Sequence, residues 1–413
     1  VRFPRTFTEE DSSLYQEREQ VEEQIERFLD SDKVGCVLVG KSGVGKSTLL
    51  LALSERSRSI LNRCAFLYNG AALDSEKPLD EILSRDCQLH LPSGHLATSA
   101  TTSFLDSISE LNRFERGEVI LIIDAVNENN DPRRLLDSLD ALVALAEQKY
   151  PWLKILMSSR PEAWKDLRGS HLHRHLYFMP AHAMEPVVEF IGYTPDELPQ
   201  VYEKYRRRYH GQTPFHQVSP RIRPLLRDPF TLRVVAETYK EQSLPETIEP
   251  GAIIPKYVEK LIEEKRLAHQ DIRFLEHDLM PLMISDSWYE NKITTEQLER
   301  APDASLYDRV FNSERGPSRI PINQPVQNLI DAEILALDGS VLDATVRFRY
   351  ERFYDYFGGK RVHVLARQHE DLPTYLRSKI QMTVDKPYLW GPIKHALIRE
   401  GKDHGLGAIL EFC

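Results

Sequence analysis

The chain has 413 residues, which at roughly 150 per domain predicts two to three domains with real cores and excludes a small disulfide-stapled scaffold. Its 41% hydrophobic and 28% charged residues are the balance of a globular protein, so disorder and fibrous repeats are excluded as well. The 53 Lys and Arg against 63 Asp and Glu leave a formal charge of -10, a field that disfavours nucleic acid and anionic lipid as partners.

In chain order, Leu14 to Leu29 carries Val21, Ile25 and Phe28 among charges, the spacing of an amphipathic helix. Val34 to Val39 is a compact apolar run that passes through a Gly-rich turn into a leucine-bearing helix from Ser47 to Leu61. Further strands are predicted at Cys64 to Tyr68, Val119 to Ile123 and Lys154 to Met157, with a helix at Leu135 to Lys149. Strands apolar on both faces and separated by helices belong to a parallel sheet covered on both sides. The fold class expected is therefore α/β, with residues 1–180 as one domain.

Beyond Met179 helices dominate: Glu185 to Ile191, Gln200 to Arg208, Leu232 to Gln242 and Ile254 to Leu267 are predicted, punctuated by prolines, and make a helical domain over 181–269. Over 270–362 helices at Asp271 to Ile284 and Gln324 to Ala336 precede a hairpin around Asp338 and Gly339 that ends in Thr345 to Tyr350, the layout of a winged helix. Residues 363–413 begin a further helical region. The opening Val1-Arg2-Phe3-Pro4-Arg5 lacks the apolar core of a leader, and Gly405 to Cys413 reads as a helix starting where the sequence stops, so continuation at both ends is expected.

Cys36, Cys64, Cys87 and Cys413 show no paired metal spacing and read as small buried apolar residues of a reducing, cytoplasmic protein. The apolar runs are strand-sized, far below the roughly 20 residues that cross a bilayer, so no membrane association is expected. His171, His173 and His175 alternate as on the polar face of an edge strand, and Arg206-Arg207-Arg208 reads as a solvated helix end. No G-x-S-x-G elbow is present, and no hydrolase triad is assigned.

The strongest signal is Gly40-Lys41-Ser42-Gly43-Val44-Gly45-Lys46-Ser47-Thr48, a complete G-x-x-x-x-G-K-[ST] pattern between a strand and a helix. Gly40, Gly43 and Gly45 let the backbone curl so that the N–H groups of the loop, through Ser42 and Val44, converge on phosphate oxygens at a helix N-terminus. Lys46 is placed for the β- and γ-phosphates, and the Ser47 hydroxyl for Mg²⁺, with Thr48 completing the motif. A metal also needs a carboxylate at the end of a neighbouring strand, which Asp124 supplies after Val119 to Ile123; Glu128 follows as a residue to orient or deprotonate water. The strand Lys154 to Met157 runs into Ser158-Ser159-Arg160-Pro161, where a guanidinium can report a γ-phosphate by bidentate contact.

This succession of P-loop, Asp124 with Glu128, and Ser158-Ser159-Arg160-Pro161 resembles the STAND class of signal-transduction ATPases, and within it the NACHT group and its bacterial antiviral relatives. Phe7-Thr8-Glu9-Glu10-Asp11 and Tyr15 with Arg18-Glu19 resemble the adenine-packing lead of that class, with Glu17 where a Gly is usual. Leu226-Arg227-Asp228-Pro229-Phe230 resembles its helical-domain proline motif, implying Pro229 near the adenine. Val346 to Phe357 resembles the end of its winged helix, with Tyr350 where many relatives place a His on the ADP β-phosphate, and Asn127 stands where an Asp is common. The resemblance implies an ATP-dependent switch that binds ADP or ATP with Mg, turns over slowly, self-associates on activation, and carries effector and sensor domains outside this sequence. The alternatives are a P-loop kinase or other constitutive NTPase, and a nucleotide-dependent winged-helix DNA binder. The N/T-K-x-D motif of GTPases is absent.

Overall fold

The computed structural model describes residues 13–57, 60, 63–73, 117–129, 131–167, 187–286, 289–299, 310–311, 323–338, 344–369, 372–383 and 386–404, with positions 79, 81, 82, 105, 106 and 109 besides. The chain divides into two units, Val1–Gly192 and Tyr193–Cys413.

The first unit is built on a parallel sheet whose strands are β1 (Gly35–Val39), β2 (Arg63–Asn69), β3 (Glu118–Asp124), β4 (Leu153–Ser159) and β5 (Val188–Glu189), in the spatial order β2-β3-β4-β1-β5. Among the described residues they are accompanied by α1 (Glu19–Leu29), α2 (Lys46–Ser57), α3 (Pro132–Lys149) and α4 (Pro161–Leu167). Because side chains alternate along a strand, β1 sends Cys36 and Leu38 into one core and Val37 and Val39 into another. Ile120, Ile122 and Leu156 join the first core with Val21, Ile25 and Phe28 of α1 and the leucines of α2. Leu121, Ile123, Ile155 and Met157 join the second with Leu135, Leu136, Leu139 and Val143 of α3 and with Trp164 of α4. A sheet buried on both faces explains why its strands read as continuous apolar runs. This architecture, with the P-loop between β1 and α2, is that of a P-loop NTPase.

The ends of α3 follow from its sequence: Asp131 caps it by accepting the Arg134 N–H at 3.1 Å, and Pro132 occupies the first turn, where a missing N–H is harmless. Lys154 interrupts the apolar run of β4, yet is buried. Its ammonium donates to the carbonyls of Ser31 (2.5 Å) and Lys33 (2.8 Å) at the edge opposite the P-loop. Burial pushes its pKa down.

In the second unit α5 (Glu197–Arg208), α6 (Pro229–Thr238) and α7 (Ile253–Glu263) are followed by a helical run from His269 to Met283 with a π-helical stretch at Leu275–Leu279. Then come β6 (Lys292–Thr294), α8 (Gln324–Asp331), β7 (Leu335–Asp338) and β8 (Thr345–Phe348), the strands forming an antiparallel sheet in the order β6-β8-β7. Helices α9 (Glu351–Ala366), α10 (Leu372–Met382) and α11 (Trp390–His404) complete it. A helix followed by a small antiparallel sheet is the winged-helix layout expected over this stretch, and β6 is a strand the sequence reading lacks. Phe348, Phe353, Tyr354 and Phe357 are buried, as core aromatics should be. Arg207 and Arg208 are exposed at the end of α5.

Three expectations are corrected. The stretch Glu185 to Ile191, read as helix, holds β5, which pairs with Leu38 and Val39 of β1; two paired residues are too few to show a strand period. The helix expected to reach Ala336 stops at Asp331, because Glu333 takes a left-handed φ of 57° and turns the chain into β7. Cys64 is exposed where a buried thiol was expected, since it lies near the start of β2; Cys36 is buried. Phe7 to Asp11, His171, His173, His175, Cys87 and Gly405 to Cys413 lie outside the described residues.

Candidate functional site

The P-loop leaves β1 at Gly40, whose N–H donates to the Ser159 carbonyl at 3.1 Å and so continues the β1–β4 ladder by one bond. Gly43 and Gly45 then take φ values of 81° and 101°, which L side chains rarely adopt. Gly40 is required for a different reason: a Cβ there would stand 2.4 Å from the Phe190 carbonyl oxygen. Lys46 opens α2, and its ammonium donates to the carbonyls of Gly40 (2.5 Å) and Lys41 (3.0 Å). These acceptors carry only partial charge, so an anionic phosphate oxygen competes for Lys46 on favourable terms. Ser47 is exposed, Ser42 and Thr48 are half-buried, and Val44 anchors the loop in the core.

Asp124 ends β3 at the same edge of the sheet. The registers place it level with Ser158 of β4, which is level with Leu38 of β1, so its backbone lies two strand spacings, about 10 Å, from the strand that feeds the P-loop. Asp124 is buried, and its Oδ1 accepts the Ser158 hydroxyl proton at 2.5 Å. The next residue, Ala125, takes a left-handed φ of 57° and starts a single helical turn, Val126–Glu128, in which the Glu128 N–H donates to the Ala125 carbonyl at 2.9 Å. Buried Asn129 pins that turn to the end of β2 by donating to the carbonyls of Gly70 (2.7 Å) and Leu73 (2.9 Å). Glu128 is half-buried beside it.

Arg160 follows β4 and is 7% exposed, so it is no solvent-facing side chain. Its N–H donates to Oδ1 of Asn127 at 3.2 Å. Asn127 is itself 1% exposed, and its Nδ2 has no hydrogen-bond partner. That orientation is enforced, since a flipped amide would put a donor against the Arg160 N–H. The position is thus a buried donor where an Asp would offer only acceptors.

The first unit therefore brings Gly40, Gly43, Gly45, Lys46, Ser47, Asp124, Glu128 and Arg160 to one edge of its sheet. A curled loop with two left-handed glycines, a lysine donating to loop carbonyls, an exposed hydroxyl and a buried carboxylate suit a polyphosphate tail with a hard divalent cation. Ser47 and Asp124 present oxygen donors of the kind a divalent cation takes.

Pro229 and Tyr350 belong to the second unit. Pro229 is the first residue of α6, whose N-cap Asp228 accepts the Thr231 N–H at 2.8 Å. Arg352 donates to the other Asp228 oxygen at 3.0 Å. Tyr350 packs its ring 5.5 Å from that of Phe230 and accepts a hydrogen bond from Arg233, which also pairs with Glu333. The two motifs singled out in this half of the sequence therefore meet each other.

Tyr15 and Arg18 are engaged within the first unit. The Tyr15 hydroxyl donates to Glu22 at 2.6 Å, and the buried Arg18 guanidinium stacks over Phe190 at 4.7 Å while donating to the Ile191 carbonyl at 2.6 Å. Phe190 was missed by sequence reasoning. It reaches the P-loop from just after β5, far along the chain, and no local pattern marks it.

No family model matches the chain, and no curated protein sequence does. Solved structures do: the Walker-type ATPase of Pyrococcus abyssi is 18% identical with a TM-score of 0.40, over 84% of this chain and 95% of that one. The ORC2 protein of Aeropyrum pernix, solved with ADPNP and ADP, is 15% identical with a TM-score of 0.43, over 91% and 94%. The ORC1 protein of the same organism, solved in complex with DNA, is 15% identical with a TM-score of 0.34, over 83% and 90%. At these values the likeness says nothing about what this chain binds. The exclusion of nucleic acid rests on net charge alone. Net charge is a weak guide because a local basic patch can override it. Among the described residues no helix is long and apolar enough to cross a membrane.

Proposed function

We propose that this chain is an ATP-dependent switch of the STAND type, NACHT-like, which binds ADP or ATP with Mg at the P-loop edge and self-associates on activation in intracellular, antiviral defence. The observation that carries the nucleotide half of this reading is the shared sheet edge: the left-handed glycines and Lys46 after β1, and Asp124 after β3, converge there from different parts of the chain. The switch half rests on the family resemblance, which also assigns Pro229 and Tyr350 to the nucleotide. Mg²⁺ would neutralise phosphate charge during hydrolysis. Lys46 and the loop N–H groups bind and orient the phosphates, Glu128 is placed to take a proton from water, and Arg160 to sense the γ-phosphate. With Asn127 in place of a second carboxylate, the field on an attacking water is weaker, which suits slow turnover.

The test is the nucleotide that copurifies with the chain. ADP retained through purification, and lost in Lys46→Ala, is the expected result. An empty site that turns over rapidly with a small phosphate acceptor would replace this reading with a P-loop kinase, and salt-dependent DNA binding would replace it with a nucleotide-dependent DNA binder.

A further inference from the structure

Ser158 has no role in the reading above, yet it is the residue that touches the carboxylate. It lies at the C-terminal end of β4 with no exposed surface, between Met157, which packs in the apolar core, and Ser159. Its hydroxyl does two things: it accepts the Ala125 N–H at 2.8 Å and donates its proton to Oδ1 of Asp124 at 2.5 Å. A buried hydroxyl is costly unless bonded, and both of these bonds go to the last turn of β3 rather than to the sheet's own ladder.

The consequences are geometric. Ala125 sits at φ 57°, a left-handed conformation that costs a non-glycine residue energy and persists only where neighbours hold it. Ser158 is one such neighbour, through the Ala125 N–H. With Oδ1 engaged, the plane of the Asp124 carboxylate is set and Oδ2 is the oxygen left to a cation or its water. Residues that orient a metal-binding carboxylate in this way tune the metal as strongly as many direct ligands do.

We propose that Ser158 is a positioning residue for the divalent cation: it holds Asp124 in the rotamer that receives the metal accompanying the bound nucleotide. This rests on the nucleotide reading of the P-loop, and the experiment separates the two. ADP affinity is measured calorimetrically with Mg²⁺ and with EDTA for the wild-type chain, Ser158→Ala, Ser158→Thr and Asp124→Asn, and Mn²⁺ binding to the ADP-loaded proteins is followed by electron paramagnetic resonance. Ser158→Ala is expected to weaken Mn²⁺ binding by about tenfold to a hundredfold and to lose most of the Mg²⁺-dependent gain in ADP affinity, approaching Asp124→Asn. Metal-free ADP binding should stay within about twofold of wild type, as a tenfold change would need about 1.4 kcal/mol that the hydroxyl does not give the phosphates. Ser158→Thr, which keeps the hydroxyl, should keep the gain. Wild-type Mn²⁺ affinity in Ser158→Ala would overturn the inference. So would an equal loss of metal-free ADP binding, or a Ser158→Thr variant as impaired as Ser158→Ala. A wild-type chain that binds ADP in neither condition would instead overturn the nucleotide reading, and this inference with it.

Discussion

At the scale of single residues, the P-loop glycines are required for separable reasons. At Gly45 there is room for a Cβ, whose nearest neighbour would be Phe190 Cε1 at 3.7 Å, and the obstacle is the φ of 101°. At Gly40 the backbone is ordinary and the obstacle is the Phe190 carbonyl. Gly45→Ala is therefore expected to strain the loop by about 1–3 kcal/mol, and since the loop is half exposed the loss should appear chiefly as weaker ADP binding. Gly40→Ala must push β5 away from β1 and should lower the unfolding free energy by about 1–3 kcal/mol even without nucleotide. Paired thermal melts and ADP titrations of the two variants check this; a melting temperature lowered more by Gly45→Ala than by Gly40→Ala would refute the assignment.

Among elements, α1 shows how a helix of modest apolar content is held on a sheet. Val21, Ile25 and Phe28 give it one buried stripe, and Glu22 anchors its first turn by accepting from the Tyr15 hydroxyl (2.6 Å), the Arg18 N–H (3.0 Å) and Arg56 (2.7 Å). Burial pushes the Glu22 carboxyl up, but these three donors outweigh it and hold the pKa below the usual value. A depressed carboxylate stabilises the fold above its unfolded pKa and loses that contribution as pH falls through the folded one. Arg56 is 44% exposed, so solvent screens that part of the network. Glu22→Gln is expected to cost about 1 kcal/mol at pH 7, and the gap to wild type to narrow as pH is lowered below the ordinary carboxylate range, as read from urea midpoints across that range. A gap that persists in acid would mean that charge is not what Glu22 contributes.

On the scale of the whole molecule, both units bury tyrosines. Burial pushes Tyr202 and Tyr375 up to about 12, and Tyr15, Tyr205, Tyr257, Tyr289 and Tyr388 higher still. A raised folded pKa contributes stability that is fully present below the unfolded value near 10 and is lost as pH climbs through the folded one. Lys154 and Lys379, lowered by burial, act in the opposite sense just below their ordinary range. The tyrosines outnumber them, so stability should fall from about pH 10 upward, by about 1.4 kcal/mol per pH unit for each tyrosine that ionises only on unfolding. Urea midpoints between pH 9 and 11, with phenolate absorbance at 295 nm as the probe, check this. Midpoints that hold level while all the phenolates appear near pH 10 would contradict it.

How much of this was legible in the sequence depends on the range of the interaction. The P-loop, the strand ending in Asp124 and the stripe of α1 are written in contiguous residues, because apolar periodicity and glycine spacing are local properties of a chain. What the tertiary structure alone decided is the strand order β2-β3-β4-β1-β5, and everything that depends on it. Asp124 and Ser158 become neighbours only because β3 pairs with β4, and Phe190 reaches Gly40 only because the two-residue β5 pairs with β1. Pairing between distant strands selects partners by which faces are buried together, a quantity that exists only once the sheet has formed, and it leaves no periodic mark in either segment.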